Sequence, residues 1–311
     1  MLNKWCPIIF MLVSTFSLSL TGLVSKFLTD HFEVSLLSFL RFIIPTMILI
    51  LIFAGREIRW PSRNEQYALW IRALCIGLSQ VCFIYSLQSL TLMESVVLFG
   101  TGPLFIPILE NLIFSTKVQT VNIIGLIVTF GGVLLLSADG THLNMRFELL
   151  VGLCAGLFNA GSQLSLFRIS QSRLNAFEIN LWSFLYAAVV VVPMLAFSFV
   201  EGRSMYQPID NSAWLVLGAL GLLGLMIINT QVFRSKAYHL SSSNSELAPI
   251  IYTNLLFTAL WQFLFYQKTY NTLQLVGLAL IVMTNVVCAG LSHSFAKKFT
   301  ASSKGSLDNC K

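Results

Sequence analysis

Phe32-Glu33-Val34-Ser35-Leu36-Leu37-Ser38-Phe39-Leu40-Arg41 returns as Phe177-Glu178-Ile179-Asn180-Leu181-Trp182-Ser183-Phe184-Leu185-Tyr186. Six of the ten positions are identical at an offset of 145 residues. Two further matches keep nearly the same offset. Gln80-Val81 with Ser86-Leu87 recurs as Gln231-Val232 with Ala237-Tyr238, and Val121-Asn122-Ile123-Ile124-Gly125-Leu126 as Leu273-Gln274-Leu275-Val276-Gly277-Leu278. One unit is therefore written twice along the chain.

The unit is a membrane unit. Of the 311 residues, 56% are hydrophobic and only 10% are charged, against about 25% charge in a soluble globule. A helix needs roughly 20 apolar residues to cross the hydrocarbon core. Ten runs qualify, at about 5–28, 34–54, 67–90, 92–114, 120–138, 148–170, 177–200, 213–236, 244–266 and 273–294. They are continuous, whereas strands of a membrane barrel alternate polar with apolar over about ten residues. The expected fold is all-α and membrane-integral.

The net charge of +6 is spread singly over short loops and forms no nucleic-acid patch. Its placement reports orientation. With the N-terminus inside, cytoplasmic segments carry Lys4, Arg56, Arg59, Arg63, Lys117, Arg168, Arg173, Arg234, Lys236, Lys297, Lys298, Lys304 and Lys311, and the opposite side only Lys26, Arg146, Arg203 and Lys268. The positive-inside rule then places both termini in the cytoplasm. Five spans per half is an odd number, so the second half enters the membrane upside down. Residues 1–140 and 146–294 thus read as two inverted five-helix repeats, followed by a basic, Ser-rich tail at 295–311 with no apolar face. Inverted repeats are the construction of secondary transporters, with the site near the midplane between the halves.

Short loops leave no soluble domain for an enzyme or a nucleotide motor. There is no H-E-x-x-H, G-x-S-x-G or P-loop motif and no cysteine pair at metal spacing, so neither a catalytic residue nor a cofactor is expected. The informative residues are ionisable or polar groups at membrane depth, each costing about 2.5–3.5 kcal/mol at a helix centre when charged. Glu94 opens the fourth span and Glu246 the ninth, each with a Thr seven residues on, Thr101 and Thr253. Either glutamate faces a cavity or reaches the headgroups from its span end; Glu110 is a third carboxylate at depth.

Arg41 lies deep in the second span, where it makes either a structural ion pair or a contact to an anionic group. Arg72, nearer a span end, is expected to snorkel. Gln80 and Gln231 are equivalent by the repeat, and Asn159, Gln163, Asn229, Asn254 and Gln262 add donors and acceptors. Singly these are interhelical hydrogen bonds, and together they imply a wet cavity. Pro103 and Pro249 interrupt the fourth and ninth spans, and paired breaks point to a transporter's centre. Nearby aromatics, Tyr252 among them, suit a flat or cationic ligand. Gly152 with Gly156, and the Gly218, Gly221, Gly224 series, read as helix-packing positions.

In order and spacing, several of these stretches resemble the drug/metabolite transporter superfamily, specifically proteins with two EamA domains. They are Leu40-Arg41-Phe42; Arg72 through Tyr85-Ser86-Leu87-Gln88-Ser89-Leu90 and Met93-Glu94-Ser95 to Gly102-Pro103-Leu104-Phe105; Gly125 to Gly131-Gly132-Val133; Gln231 to Ala237-Tyr238; and Leu247-Ala248-Pro249-Ile250-Ile251-Tyr252. The chain departs from the family where a Gly-Glu pair often follows the fourth and ninth spans, showing Ser115-Thr116 and Tyr266-Gln267 instead. The resemblance implies a central cavity lined by spans 1–4 and 6–9, with spans 5 and 10 set aside for support or homodimer contact. It implies a carrier in a bacterial inner membrane, moving an amino acid or related small metabolite by alternating access. The runner-up is uptake of S-adenosylmethionine or a similar cationic nucleoside-like metabolite. A carboxylate, Glu94 or Glu246, would then meet the substrate's cationic part or carry a coupling proton.

Overall fold

The structure is a computed structural model that describes residues 2–53, 58–114, 120–136, 138–139, 142–143, 146–206, 213–241, 247, 250–266, 271–284 and 286–287. Glu246 and Pro249 lie outside the described residues. Eleven helices are followed: α1 (Leu2–Leu28), α2 (Val34–Ile52), α3 (Arg63–Ser89), α4 (Leu92–Phe99), α5 (Gly102–Phe114), α6 (Thr120–Leu136), α7 (Phe147–Ser170), α8 (Ala176–Val200), α9 (Ala213–Leu240), α10 (Thr253–Phe265) and α11 (Thr272–Thr284). Among the described residues seven spans are long and apolar enough to cross a membrane, α4 and α5 together forming one of them, and three shorter apolar helices bring the number to ten. The link between the halves carries a two-residue antiparallel ladder, Ala138–Asp139 with His142–Leu143.

Helix starts follow local capping chemistry. Thr91 Oγ1 accepts the Glu94 N–H at 3.2 Å while Glu94 Oε2 accepts the Thr91 N–H at 2.8 Å, a capping box opening α4. Asn175 and Glu178 make the same reciprocal pair at the start of α8. The fourth span breaks at Gly100-Thr101, directly before Pro103 in the first turn of α5. Proline has no N–H to give, so it sits at a helix start without loss.

Packing reveals the two-fold relation. Exchanging each span with its counterpart five spans on maps the contact of α1 with α9 onto that of α7 with α3, the contact of α3 with α8 onto that of α9 with α2, and α4 on α7 onto α10 on α1. The contact of α2 with α8 maps onto itself. Glu33, just before α2, meets Arg203, just after α8, and at the other end Arg59, after α2, meets Glu178 in α8. The two helices are antiparallel, so the repeats are inverted.

Polar side chains are buried among an apolar core, while the exterior is apolar, as a lipid solvent demands. Ser14, Ser17, Thr21 and Ser25 recur along the buried face of α1. Leu51, Trp214 and Phe263 lie more than 70% exposed. Close crossings use glycine where backbones must touch. A Cβ on Gly156 would sit 2.5 Å from Thr101 Oγ1 and 2.7 Å from the Leu98 carbonyl oxygen. One on Gly132 of α6 would lie 2.6 Å from Ile281 of α11, so spans 5 and 10 pack on each other. The Gly218 series does not behave as one set. Gly224 closes on Ile44, while Gly218 and Gly221 have nothing within 4 Å.

Candidate functional site

Seven helices converge on one central cavity, lined by Leu18 and Thr21 of α1, Arg41 and Phe42 of α2, Ile76 and Gln80 of α3, Phe99 of α4, Asn159 of α7, Phe184 of α8, and Ile227, Thr230, Gln231 and Arg234 of α9. Helical periodicity puts these groups together. Ile227, Thr230 or Gln231, and Arg234 recur at three- and four-residue spacing on α9, as Arg72, Ile76 and Gln80 do on α3. About 30 Å³ is open to the centre of a water molecule. Roughly 10–15 Å³ suffices for one water. The cavity is therefore narrow, with room for about two waters.

Its electrostatics are one-sided. Arg41, Arg72 and Arg234 are 4%, 0% and 2% exposed, and among the described residues none lies within 4.0 Å of a carboxylate. Arg72 is the best satisfied. Its Nε donates to Ser183 Oγ at 2.9 Å, and its Nη2 to Asn180 Oδ1 at 3.1 Å and Gln231 Oε1 at 3.3 Å, tying α3 to α8 and α9. It does not snorkel, because these acceptors draw it inward. Arg41 donates to Ser25 Oγ and lies 6.0 Å from the Phe83 ring centre, leaving Nε without a partner. Arg234 has neither Nε nor Nη2 hydrogen-bonded. Gln80 Oε1 and Thr230 Oγ1 are also buried without partners.

The residues singled out from sequence are distributed as follows. Arg41, Gln80 and Gln231 share the cavity. Glu94 is 2% exposed, with its carboxylate engaged in the capping box of α4. Tyr252 is buried in the apolar core beside the cavity and is not among its lining residues. Glu110 is half-buried on α5. Arg234, inside the eighth span at 213–236, counts from sequence among the cytoplasmic charges that report topology, yet it sits at the centre. Its spacing of three from Gln231 was the signal that places it on the polar face of α9.

Both ends of the α2–α8 pair are joined across the repeat. At one, the Glu33 N–H donates to the Met205 carbonyl at 3.1 Å, Phe32 bridges Tyr206, and Arg203 Nη1 lies 3.8 Å from Glu33 Oε1. At the other, the Arg59 N–H donates to Glu178 Oε1 at 3.2 Å, and Trp182 Nε1 to the Arg59 carbonyl at 3.1 Å. Larger hollows of about 470 and 550 Å³ lie elsewhere, one beside Lys236 and His239, the other beside Asp30 and Tyr266. They share no lining residue with the central cavity and are walled mainly by apolar side chains.

Comparison with known proteins agrees with this architecture. The sequence profile of the EamA-like transporter family matches residues 5–138 and again 146–289. The pseudopaline exporter of Pseudomonas aeruginosa is 23% identical over 282 residues, covering 91% of this chain and 94% of the relative. An uncharacterized transporter of Helicobacter pylori is 22% identical over 280 residues, covering 86% and 90%. The uncharacterized transporter YetK of Bacillus subtilis is 27% identical over 175 residues, covering 52% and 53%. A crystal structure of another protein superposes with a TM-score of 0.57 at 16% identity, covering 94% of this chain and 97% of that one, which is a likeness of fold.

Proposed function

This chain belongs to the EamA-like transporter family, and from that premise we propose that it is a secondary carrier for a small metabolite, an amino acid or related compound. It works in a bacterial inner membrane with both termini in the cytoplasm. The observation that carries the reading is the cavity at the junction of the inverted halves, where Arg41 and Gln80 of one half face Gln231 and Arg234 of the other.

Alternating access follows from that geometry. A substrate held by both halves is released to one side when they rock apart at that end, and to the other when they rock the opposite way. The Glu33–Arg203 and Glu178–Arg59 contacts sit at the two ends of the α2–α8 pair, where such rocking breaks one set while keeping the other. The narrow cavity corresponds to a state between the two openings.

The amino-acid reading is preferred over S-adenosylmethionine. The cavity has aromatic walls in Phe42, Phe99 and Phe184, but Arg41 and Arg234 repel a sulfonium there and no described carboxylate offsets them. Arginines with free donors suit a substrate carboxylate instead. Counterflow in proteoliposomes tests the proposal: vesicles preloaded with an unlabelled metabolite should accumulate its labelled form transiently, and only when they contain the protein. Absence of exchange for every metabolite of an amino-acid and nucleoside panel, in folded reconstituted protein, would defeat it.

A further inference from the structure

Arg234 is 2% exposed at the centre of the bundle, lines the cavity, and has two guanidinium nitrogens with no hydrogen-bond partner. A guanidinium stays charged at any physiological pH and carries five donors, so burying it without acceptors is strongly unfavourable. Arg72 shows what a structural arginine in this bundle receives, namely the oxygens of Ser183, Asn180 and Gln231, with only Nη1 left without a partner. Arg234 receives nothing comparable among the described residues, and Arg41 beside the same cavity keeps Nε free. Among the described residues, Glu94 is engaged on Thr91, Glu178 on Asn175 and Arg59, and Glu33 on Ser35 and Arg203, and none of the three lines the cavity.

From this imbalance we infer that the cavity is an anion site, and that the substrate is a metabolite with more carboxylates than ammonium groups, gripped by Arg41 and Arg234. Planar guanidinium forks match carboxylates two bonds at a time, which positions the anion as well as holding it. Arg72 lies behind through Gln231 and adds positive potential. The neutral groups Gln80, Thr230 and Asn159 are left for the polar remainder of the molecule. A zwitterion with one ammonium and one carboxylate fits less well, because its cation meets the arginines' repulsion. The inference rests on the carrier reading and narrows its substrate class to acidic amino acids and related dicarboxylates.

The test uses purified full-length protein and its R41Q and R234Q variants. Thermal midpoints are measured with succinate and L-glutamate, with L-leucine as the neutral zwitterion, and with L-lysine and S-adenosylmethionine as cations, at constant ionic strength. Succinate or glutamate should raise the midpoint saturably, and each variant should weaken that response by roughly tenfold or more, the scale of a lost charge-assisted hydrogen bond. Without ligand, R234Q should melt no lower than the parent, since it removes an uncompensated charge. A fall in the ligand-free R234Q midpoint would mean that a carboxylate of the protein, Glu246 included, already answers Arg234, and would overturn the inference. So would stabilisation confined to leucine or the cations, no response to either dicarboxylate, or an undiminished dicarboxylate response in both variants. The two readings separate in counterflow: exchange of cations or neutral compounds alone sinks the anion site and keeps the carrier, whereas dicarboxylate binding without exchange of any compound sinks the carrier and keeps the site.

Discussion

Glu178 accepts the backbone N–H of Arg59 at 3.2 Å, at the end of the α2–α8 pair opposite the 3.8 Å ion pair of Glu33 with Arg203. In each case a glutamate at the start of one half's second helix receives the loop that follows the second helix of the other half. The two contacts are related by the inversion, but they are unequal in setting. Glu33 is 15% exposed and its partner Arg203 55%, whereas Glu178 is 2% exposed.

That inequality sets a difference between E33Q and E178Q. An exposed ion pair contributes about 0–1 kcal/mol, and Gln keeps an oxygen for the Ser35 N–H that Glu33 accepts at the start of α2, so E33Q should change the thermal midpoint little. E178Q weakens a buried acceptor that holds both its own helix start and Arg59, and should cost about 1–3 kcal/mol. Denaturation in detergent compares them, and equal losses would refute the ranking.

Asn180 accepts from Arg72 and donates to Ser235 Oγ at 3.0 Å and to the Ala176 carbonyl at 2.7 Å. N180A leaves the buried Arg72 charge with one acceptor fewer, and a cost of about 1.5–3 kcal/mol is expected. Asn180→Asp supplies a counter-charge but turns an acceptor-only oxygen toward the Ala176 carbonyl, so it should lose less than N180A without exceeding parental stability. The pair of midpoints distinguishes a buried cation short of acceptors from ordinary packing.

Glycine substitutions should split by environment. G156A drives a methyl against the Thr101 hydroxyl and the Leu98 carbonyl and should lose about 1–3 kcal/mol. G218A meets open space and should be neutral or gain up to about 1 kcal/mol from helix propensity. Half-lives in detergent at raised temperature read both, and a stable G156A would contradict the close α4–α7 crossing.

E94Q should transport at nearly the parental rate with unchanged pH dependence, because Gln keeps the oxygen that accepts the Thr91 N–H. E94A should lose about 1 kcal/mol of stability through the lost cap. Uptake that becomes pH-independent in E94Q would instead give this carboxylate a proton to carry.

The sequence alone determined the architecture, because the lipid solvent enforces it. Every span must be a helix with an apolar outside, and an odd number of spans in each copy must invert the second, so composition and an offset of 145 residues sufficed. It also brought out Arg41, Gln80 and Gln231, since polar groups at membrane depth stand out against apolar neighbours. Tertiary structure alone decided which charges face inward and what answers them. Arg234 near the end of α9 and Arg72 near the start of α3 read as topology signals or snorkelling side chains in a linear chain. The direction each side chain takes depends on which helix lies opposite and what acceptors it offers: Ser183, Asn180 and Gln231 draw in Arg72, while Arg234 is turned to a cavity lined by no carboxylate among the described residues.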